Sequence, residues 1–167
     1  MTAIIDHALV PGTFDPITFG HIDVVRRARR IFPQVTVAVA ASIGKRGGTT
    51  FTLEERVDLA RAALAATHGT EDVAVLPMTG LLVDFAREQR AGAVVKGLRA
   101  MTDFEYELQQ ADLNFRLDEE LESIFVMSAP RYGYLSSSVV RQIASFGGDV
   151  SEFVPPCVAT ALRARFV

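Results

Sequence analysis

Hydrophobic positions fall in short runs that alternate with helical stretches along the whole chain. Ile4-Ile5-Asp6-His7-Ala8-Leu9-Val10 is an apolar run of strand length. Val35 to Ala40 is apolar on both faces, the pattern of a strand buried in a parallel sheet. Val73 to Leu76, Ala93 to Val95 and Ile124 to Met127 give three more strands. Between them, helices are predicted over Ile22–Phe32, Thr52–Thr67, Leu81–Arg90 and from Thr102 or Asp103 to Leu117. Thr52-Leu53-Glu54-Glu55 is a capping box that opens the second of these, with Val57, Ala60 and Leu64 on its apolar face. A helix capped by Ser136 stops at Gly147-Gly148, and a last one fills Cys157–Arg165. This alternation predicts an α/β fold with a doubly wound parallel sheet. No repeat, low-complexity stretch or linker divides the chain, so residues 1–167 are expected to form a single domain.

In such sheets ligands bind beyond the carboxyl ends of the strands, where the strand order reverses. The loops after strands one, two, four and five should therefore share a crevice. They are Thr13–His21, Ser42–Thr50, Lys96–Asp103 and Tyr132–Ser138, and they hold the most polar, glycine-rich and basic clusters of the chain.

Composition narrows the classes. The 167 residues are 49% hydrophobic and 22% charged, enough to bury a sizeable core. A net charge of −3 gives no reason to expect a nucleic-acid partner. One cysteine, Cys157, cannot form an internal disulfide; it reads as a small buried or half-buried apolar residue. No apolar run approaches the ~20 residues that span a bilayer, and the N-terminus lacks a basic leader. No membrane partner is expected, and the cytoplasm is the expected compartment.

Three segments carry candidate chemistry. Pro11 to His21 reads Pro-Gly-Thr-Phe-Asp-Pro-Ile-Thr-Phe-Gly-His, a loop that leads from a strand into a helix starting near Gly20-His21. Free backbone N–H groups and the positive end of the helix dipole then face a ligand, and an imidazole in that first turn can hold a phosphate oxygen. A lone Gly-His would be a plain turn; the whole string is what carries weight. Lys96-Gly97-Leu98-Arg99, followed by Asp103-Phe104-Glu105-Tyr106-Glu107, puts two cations around a flexible glycine, able to clamp phosphates from two sides. Alone it could equally be a basic surface loop. Ser136-Ser137-Ser138 at a helix start makes an anion-binding nest, whereas simple capping needs only Ser136. His7 and His68 have no motif around them and read as structural. Dinucleotide-binding Gly-x-Gly-x-x-Gly, a P-loop, zinc-ligand spacing and a Gly-x-Ser-x-Gly elbow are all missing from the sequence, so no metal ligands are assigned.

These segments carry a resemblance. Thr18-x-Gly20-His21 resembles the (His/Thr)-x-Gly-His pattern of the nucleotidyltransferase superfamily. Pro-Gly-Thr-Phe-Asp-Pro before it, Lys96-Gly97-Leu98-Arg99 with Asp103 to Glu107, and Tyr132-Gly133-Tyr134-Leu135-Ser136-Ser137-Ser138 with Arg141 resemble the phosphopantetheine adenylyltransferases. The resemblance covers essentially the whole chain. It implies a Rossmann-like nucleotidyltransferase fold and transfer of the adenylyl group of ATP to 4′-phosphopantetheine, giving dephospho-coenzyme A and pyrophosphate. It also implies Mg²⁺ accompanying ATP, coenzyme A as a feedback inhibitor and a homohexamer. By the same resemblance, His21, Lys45 and Arg99 are catalytic. Thr13, Phe14, His21, Gly97, Leu98, Arg99, Glu107, Tyr132, Gly133, Tyr134, Leu135, Ser136, Ser137 and Ser138 bind ATP. Thr13, Lys45, Leu82 and Lys96 bind phosphopantetheine.

Two departures bear on the site. Lys96 stands where many members carry Arg, keeping the charge and losing the fork. Gly133 has no side chain to stack on adenine. Glycerol-3-phosphate cytidylyltransferases and nicotinamide-mononucleotide adenylyltransferases share the first and third segments, and the Lys96–Glu107 stretch favours the phosphopantetheine enzyme over them. A non-catalytic nucleotide-sensing module would be expected to lack His21 or the basic pair.

Overall fold

The computed structural model describes residues 5–41, 48–99 and 101–166. Five strands, β1 (His7–Gly12), β2 (Gln34–Ala40), β3 (Ala74–Met78), β4 (Ala93–Leu98) and β5 (Glu122–Met127), form one parallel sheet in the order β3-β2-β1-β4-β5. Six helices join and flank them: α1 (Phe19–Ile31), α2 (Leu53–Ala65), α3 (Leu82–Gln89), α4 (Met101–Leu117), α5 (Ser137–Ser145) and α6 (Pro156–Phe166). The strand order reverses at β1, whose neighbours are β2 on one side and β4 on the other. The doubly wound arrangement expected from the sequence is the one observed.

The alternation of side chains along β1 builds two cores. Ala8 and Val10 join the large one, with Val25 of α1, Ala60 of α2, Val140 of α5 and Val158 of α6. Leu9 joins a smaller one with Val94 of β4 and with Val83 and Ala86 of α3. Cys157 is half-buried and packs against the large core.

Element ends differ slightly from the sequence reading, for local reasons. β1 runs to Gly12, beyond Val10, because Pro11 and Gly12 still pair with Ala38 and Val39. Its expected first residue, Ile4, lies outside the described residues. α1 begins at Phe19 because Thr18, at the N-cap, already satisfies the His21 amide. Thr52 and Glu55 form the reciprocal cap expected for α2. α5 ends as Gly147 takes φ 75°, and the amides of Gly147 and Gly148 close back on Ala144 and Ile143. β3 is an edge strand and carries the exposed Pro77; β5 forms the opposite edge. His7 is buried, its ring bridging the Gln89 carbonyl and the Thr36 hydroxyl, which is the structural role read for it; His68 lies exposed beside Glu71, away from the crevice.

Candidate active site

A crevice of about 590 Å³ opens where the strand order reverses, at the carboxyl ends of β1 and β4. Thr13, Phe14, Thr18 and His21 line it from the β1–α1 side, Lys96, Gly97 and Arg99 from β4, Tyr106 and Glu107 from α4, and Leu135 to Ser138 with Arg141 from α5. The sequence reading assigned eleven of these to substrates or catalysis: Thr13, Phe14, His21, Lys96, Gly97, Arg99, Glu107, Leu135, Ser136, Ser137 and Ser138. Five assigned residues lie elsewhere. Leu98 is buried in β4, and Leu82 packs against the smaller core. Tyr132 ends a 3-10 turn beside a second hollow, and Tyr134 is 98% exposed. Gly133 follows that turn as its C-cap and is outside the crevice lining as well. Lys45 lies outside the described residues.

His21 occupies the third position of α1 and acts in its cap. The Thr18 amide donates to His21 Nδ1 at 3.0 Å, and the His21 amide donates to Thr18 Oγ1 at 3.4 Å. This is a capping box in which imidazole replaces the usual Glu or Gln. An amide can only donate, so Nδ1 is unprotonated and the proton of the neutral ring sits on Nε2. Burial, with Arg99 adding to it, lowers the His21 pKa from 6.5 to about 4. At neutral pH the crevice therefore receives one uncharged N–H donor of fixed direction.

Phe14 fixes the other side of the ring. It takes the left-handed conformation at φ 47°, and its ring meets the imidazole edge-on at 5.1 Å. Gly12 makes room for it, since a β-carbon there would lie 2.9 Å from the Phe14 ring.

The charges are arranged around this donor. Lys96 Nζ lies 3.2 Å from Glu107 Oε2, so the carboxylate orients the ammonium. Arg99 Nη1 donates to the Leu135 carbonyl at 3.0 Å, tying the end of β4 to the loop before α5. Gly97 is needed for closeness: a β-carbon there would come within 2.5 Å of Val24 Cγ2 on α1. The three serines divide their work. Ser136 caps α5 through the Val139 amide and contacts Ser138, and Ser137 donates to the Pro16 carbonyl at 2.7 Å. The nest read from the sequence is thus partly spent on holding α5 against the first loop.

Arg56 was not singled out by the sequence, and Asp15 and Arg141 entered only as members of the resembling segments, without a role. Arg141 lines the crevice and donates to the Asp15 carbonyl, with its Nη1 also 3.5 Å from the Asp15 carboxylate. That carboxylate accepts from the Thr50 and Phe51 amides at 2.9 and 3.0 Å. Arg56 is buried in α2, and desolvation lowers its pKa against the attraction of Asp15 and Glu54. Its signal in the sequence is a charge on the helical stripe that continues through Ala60 and Ala63. Among the described residues, no group of three or more His, Cys, Asp or Glu is placed to hold a metal. The two carboxylates that line the crevice among the described residues are already engaged, Asp15 with amides and Glu107 with Lys96. The chain's own described donors do not fit a protein-built metal cage.

The fold and this crevice define a nucleotidyltransferase of Rossmann-like architecture. Solved structures of that class share the fold. Nicotinic acid mononucleotide adenylyltransferase from Plasmodium falciparum, complexed with NaAD, superposes with a TM-score of 0.72 at 13% identity, over 96% of this chain and 95% of that one. A bifunctional NMN adenylyltransferase/ADP ribose pyrophosphatase from Francisella tularensis also gives 0.72, at 16% identity; the chain spans 49% of that longer protein and 96% of its own length is covered. The profile of the Cytidylyltransferase-like family matches residues 9–143. A phosphopantetheine adenylyltransferase from Thioalkalivibrio sulfidiphilus (strain HL-EbGR7) is 53% identical over 158 residues, covering 95% of this chain and 96% of that protein. The chain belongs to the phosphopantetheine adenylyltransferase family, and it is an enzyme.

Proposed function

We propose that the crevice transfers the adenylyl group of ATP to 4′-phosphopantetheine, giving dephospho-coenzyme A and pyrophosphate. The observation that carries this reading is the cap-locked, neutral imidazole of His21, set in one crevice with Lys96 and Arg99. A phosphate oxygen of phosphopantetheine attacks the α-phosphorus of ATP in line. A new P–O bond forms as the bond to the pyrophosphate oxygen breaks, and the electron pair leaves with pyrophosphate. The nucleophile is largely ionised at neutral pH, with a second pKa of about 6, so no general base is required. His21 is poorly suited to be one, because Nδ1 is engaged and Nε2 carries its proton.

The residues then bind, orient and neutralise. His21 Nε2–H holds the α-phosphate and its growing charge. Thr13 bridges the two substrates, and the Thr13–Phe14 backbone contacts ATP. Lys45 and Lys96 hold the phosphopantetheine phosphate; Leu82, outside the crevice lining, is assigned to the pantetheine chain by the family resemblance alone. Gly97, Arg99, Glu107 and Leu135 to Ser138 bind ATP, while Leu98 and Tyr132 to Tyr134, outside the lining, carry that role by the resemblance alone. Mg²⁺ would be held by the ATP phosphates rather than by this chain, where it would neutralise phosphate charge, since the described crevice carboxylates Asp15 and Glu107 are already engaged. Coenzyme A, which shares the product's pantetheine and nucleotide parts, acts as feedback inhibitor. The cytoplasm is the proposed compartment. Among the described residues no helix is long and apolar enough to cross a membrane.

Pyrophosphate release with Mg²⁺-ATP tests the reading, comparing 4′-phosphopantetheine with nicotinamide mononucleotide, and CTP with glycerol-3-phosphate in parallel. Release with phosphopantetheine alone is expected; release with another pair sinks the substrate assignment. His21→Ala should lower kcat by about 10²–10³-fold, the usual loss for one preorganised donor, with a smaller effect on ATP binding. Turnover near wild type would remove His21 from its role. A folded protein that binds ATP and is silent with all acceptors would be a nucleotide sensor.

A further inference from the structure

Arg56 does not line the crevice, yet it is tied to two of the strand ends around it. Its side chain is only 2% exposed, a place where arginine is rare unless paired. Nη1 donates to the Thr13 carbonyl at 2.6 Å and to the Ala40 carbonyl at 2.8 Å, and Nε donates to the Phe51 carbonyl at 3.3 Å. These acceptors come from three places: the loop after β1, the end of β2 and the residue before the α2 cap. Asp15 closes the same unit from the other side, accepting the Thr50 and Phe51 amides while Arg141 holds its carbonyl.

Desolvating a guanidinium costs several kcal/mol, and an apolar side chain of similar volume often serves stability as well or better. What an apolar side chain cannot do is fix three carbonyls at once with a rigid planar fork. One of those carbonyls belongs to Thr13. The next residue, Phe14, is held at positive φ with its ring against His21.

We propose that Arg56 is a positioning residue for adenylyl transfer: by gripping the Thr13 carbonyl it sets Thr13 and, through Phe14, the His21 ring. This rests on the reading that Thr13 and His21 hold the reacting phosphates. The positioning is worth most in the transition state, where alignment is strict. Its loss therefore belongs in kcat rather than in KM.

Arg56→Lys and Arg56→Met test this, with kcat, both KM values and thermal unfolding measured on the full chain. The lysine variant keeps the charge and loses the fork. Its kcat should fall about 10- to 100-fold, the scale of an ångström-level misplacement, with each KM within about threefold. Arg56→Met should lose at least as much kcat. A folded Arg56→Lys or Arg56→Met with wild-type kcat overturns the proposal. So does a loss confined to thermal stability or to KM, and so does failure of both variants to fold, which would make Arg56 a folding staple. The acceptor used is the one wild type turns over. Wild-type release with an acceptor other than phosphopantetheine overturns the substrate reading and leaves the Arg56 result standing. A wild type silent with every acceptor overturns both.

Discussion

At the scale of single residues, His21 owes its chemistry to Thr18. The cap amide removes one lone pair from the ring, and burial beside Arg99 opposes the second proton. A ¹⁵N NMR titration of the folded protein should find His21 neutral, with its proton on Nε2, until the pH approaches about 4. A midpoint near 6.5, the ordinary histidine value, would contradict the cap geometry. The sign for stability follows. Between 6.5 and about 4 the unfolded chain binds this proton and the folded chain does not. This contribution is fully present above 6.5 and is lost as pH falls toward 4. The Thr18-x-Gly20-His21 string was legible as a family signature, whereas the cap it forms was not, because imidazole stands where a capping box usually has Glu or Gln. Arg56 was not, because an arginine after Glu54-Glu55 reads as one more exposed helical charge. Only the long-range fold brings three carbonyls to it.

At the scale of elements, Gly97 shows how β4 and α1 are brought together. The sequence marks it as a flexible hinge between two cations, whereas the structure makes it a contact point, open only because it has no β-carbon. Gly97→Ala would meet Val24 at 2.5 Å, forcing α1 and β4 apart. Overpacking of this kind costs about 1–3 kcal/mol. Denaturant unfolding should show that loss, and isothermal titration should show weaker ATP binding, since Gly97 and His21 ride on the separated elements. Unchanged values for both would mean that Val24 moves aside freely. The serines before α5 teach the complementary point. Their clustering was visible in the sequence. Their division between the Val139 amide, the Pro16 carbonyl and the crevice depends on where the first loop passes, which no local pattern encodes.

At the scale of the whole molecule, the order of apolar runs was enough to read the sheet, because buried parallel strands and capped helices each have their own period. The outer surface was less legible. α4 leaves Tyr106, Leu108, Leu113, Phe115 and Leu117 exposed, each at 46% or more, in a chain taken alone. The helical alternation of this stretch gives no hint of which face meets solvent and which a neighbour. The proposed hexamer would cover part of this surface. Light scattering should give a hexamer mass for the wild type and a smaller species for Leu113→Asp/Phe115→Asp. A monomeric wild type would refute the assembly. The two sheet edges bear differently on misassembly. An endless ribbon of sheets needs each molecule to offer two pairing edges, one for the neighbour before it and one for the neighbour after. The β3 edge carries Pro77, which has no N–H to give, while the β5 edge is free of proline. Edge-to-edge pairing at β3 therefore lacks a hydrogen bond that β5 can make, and a ribbon of sheets is weakened wherever it must use β3.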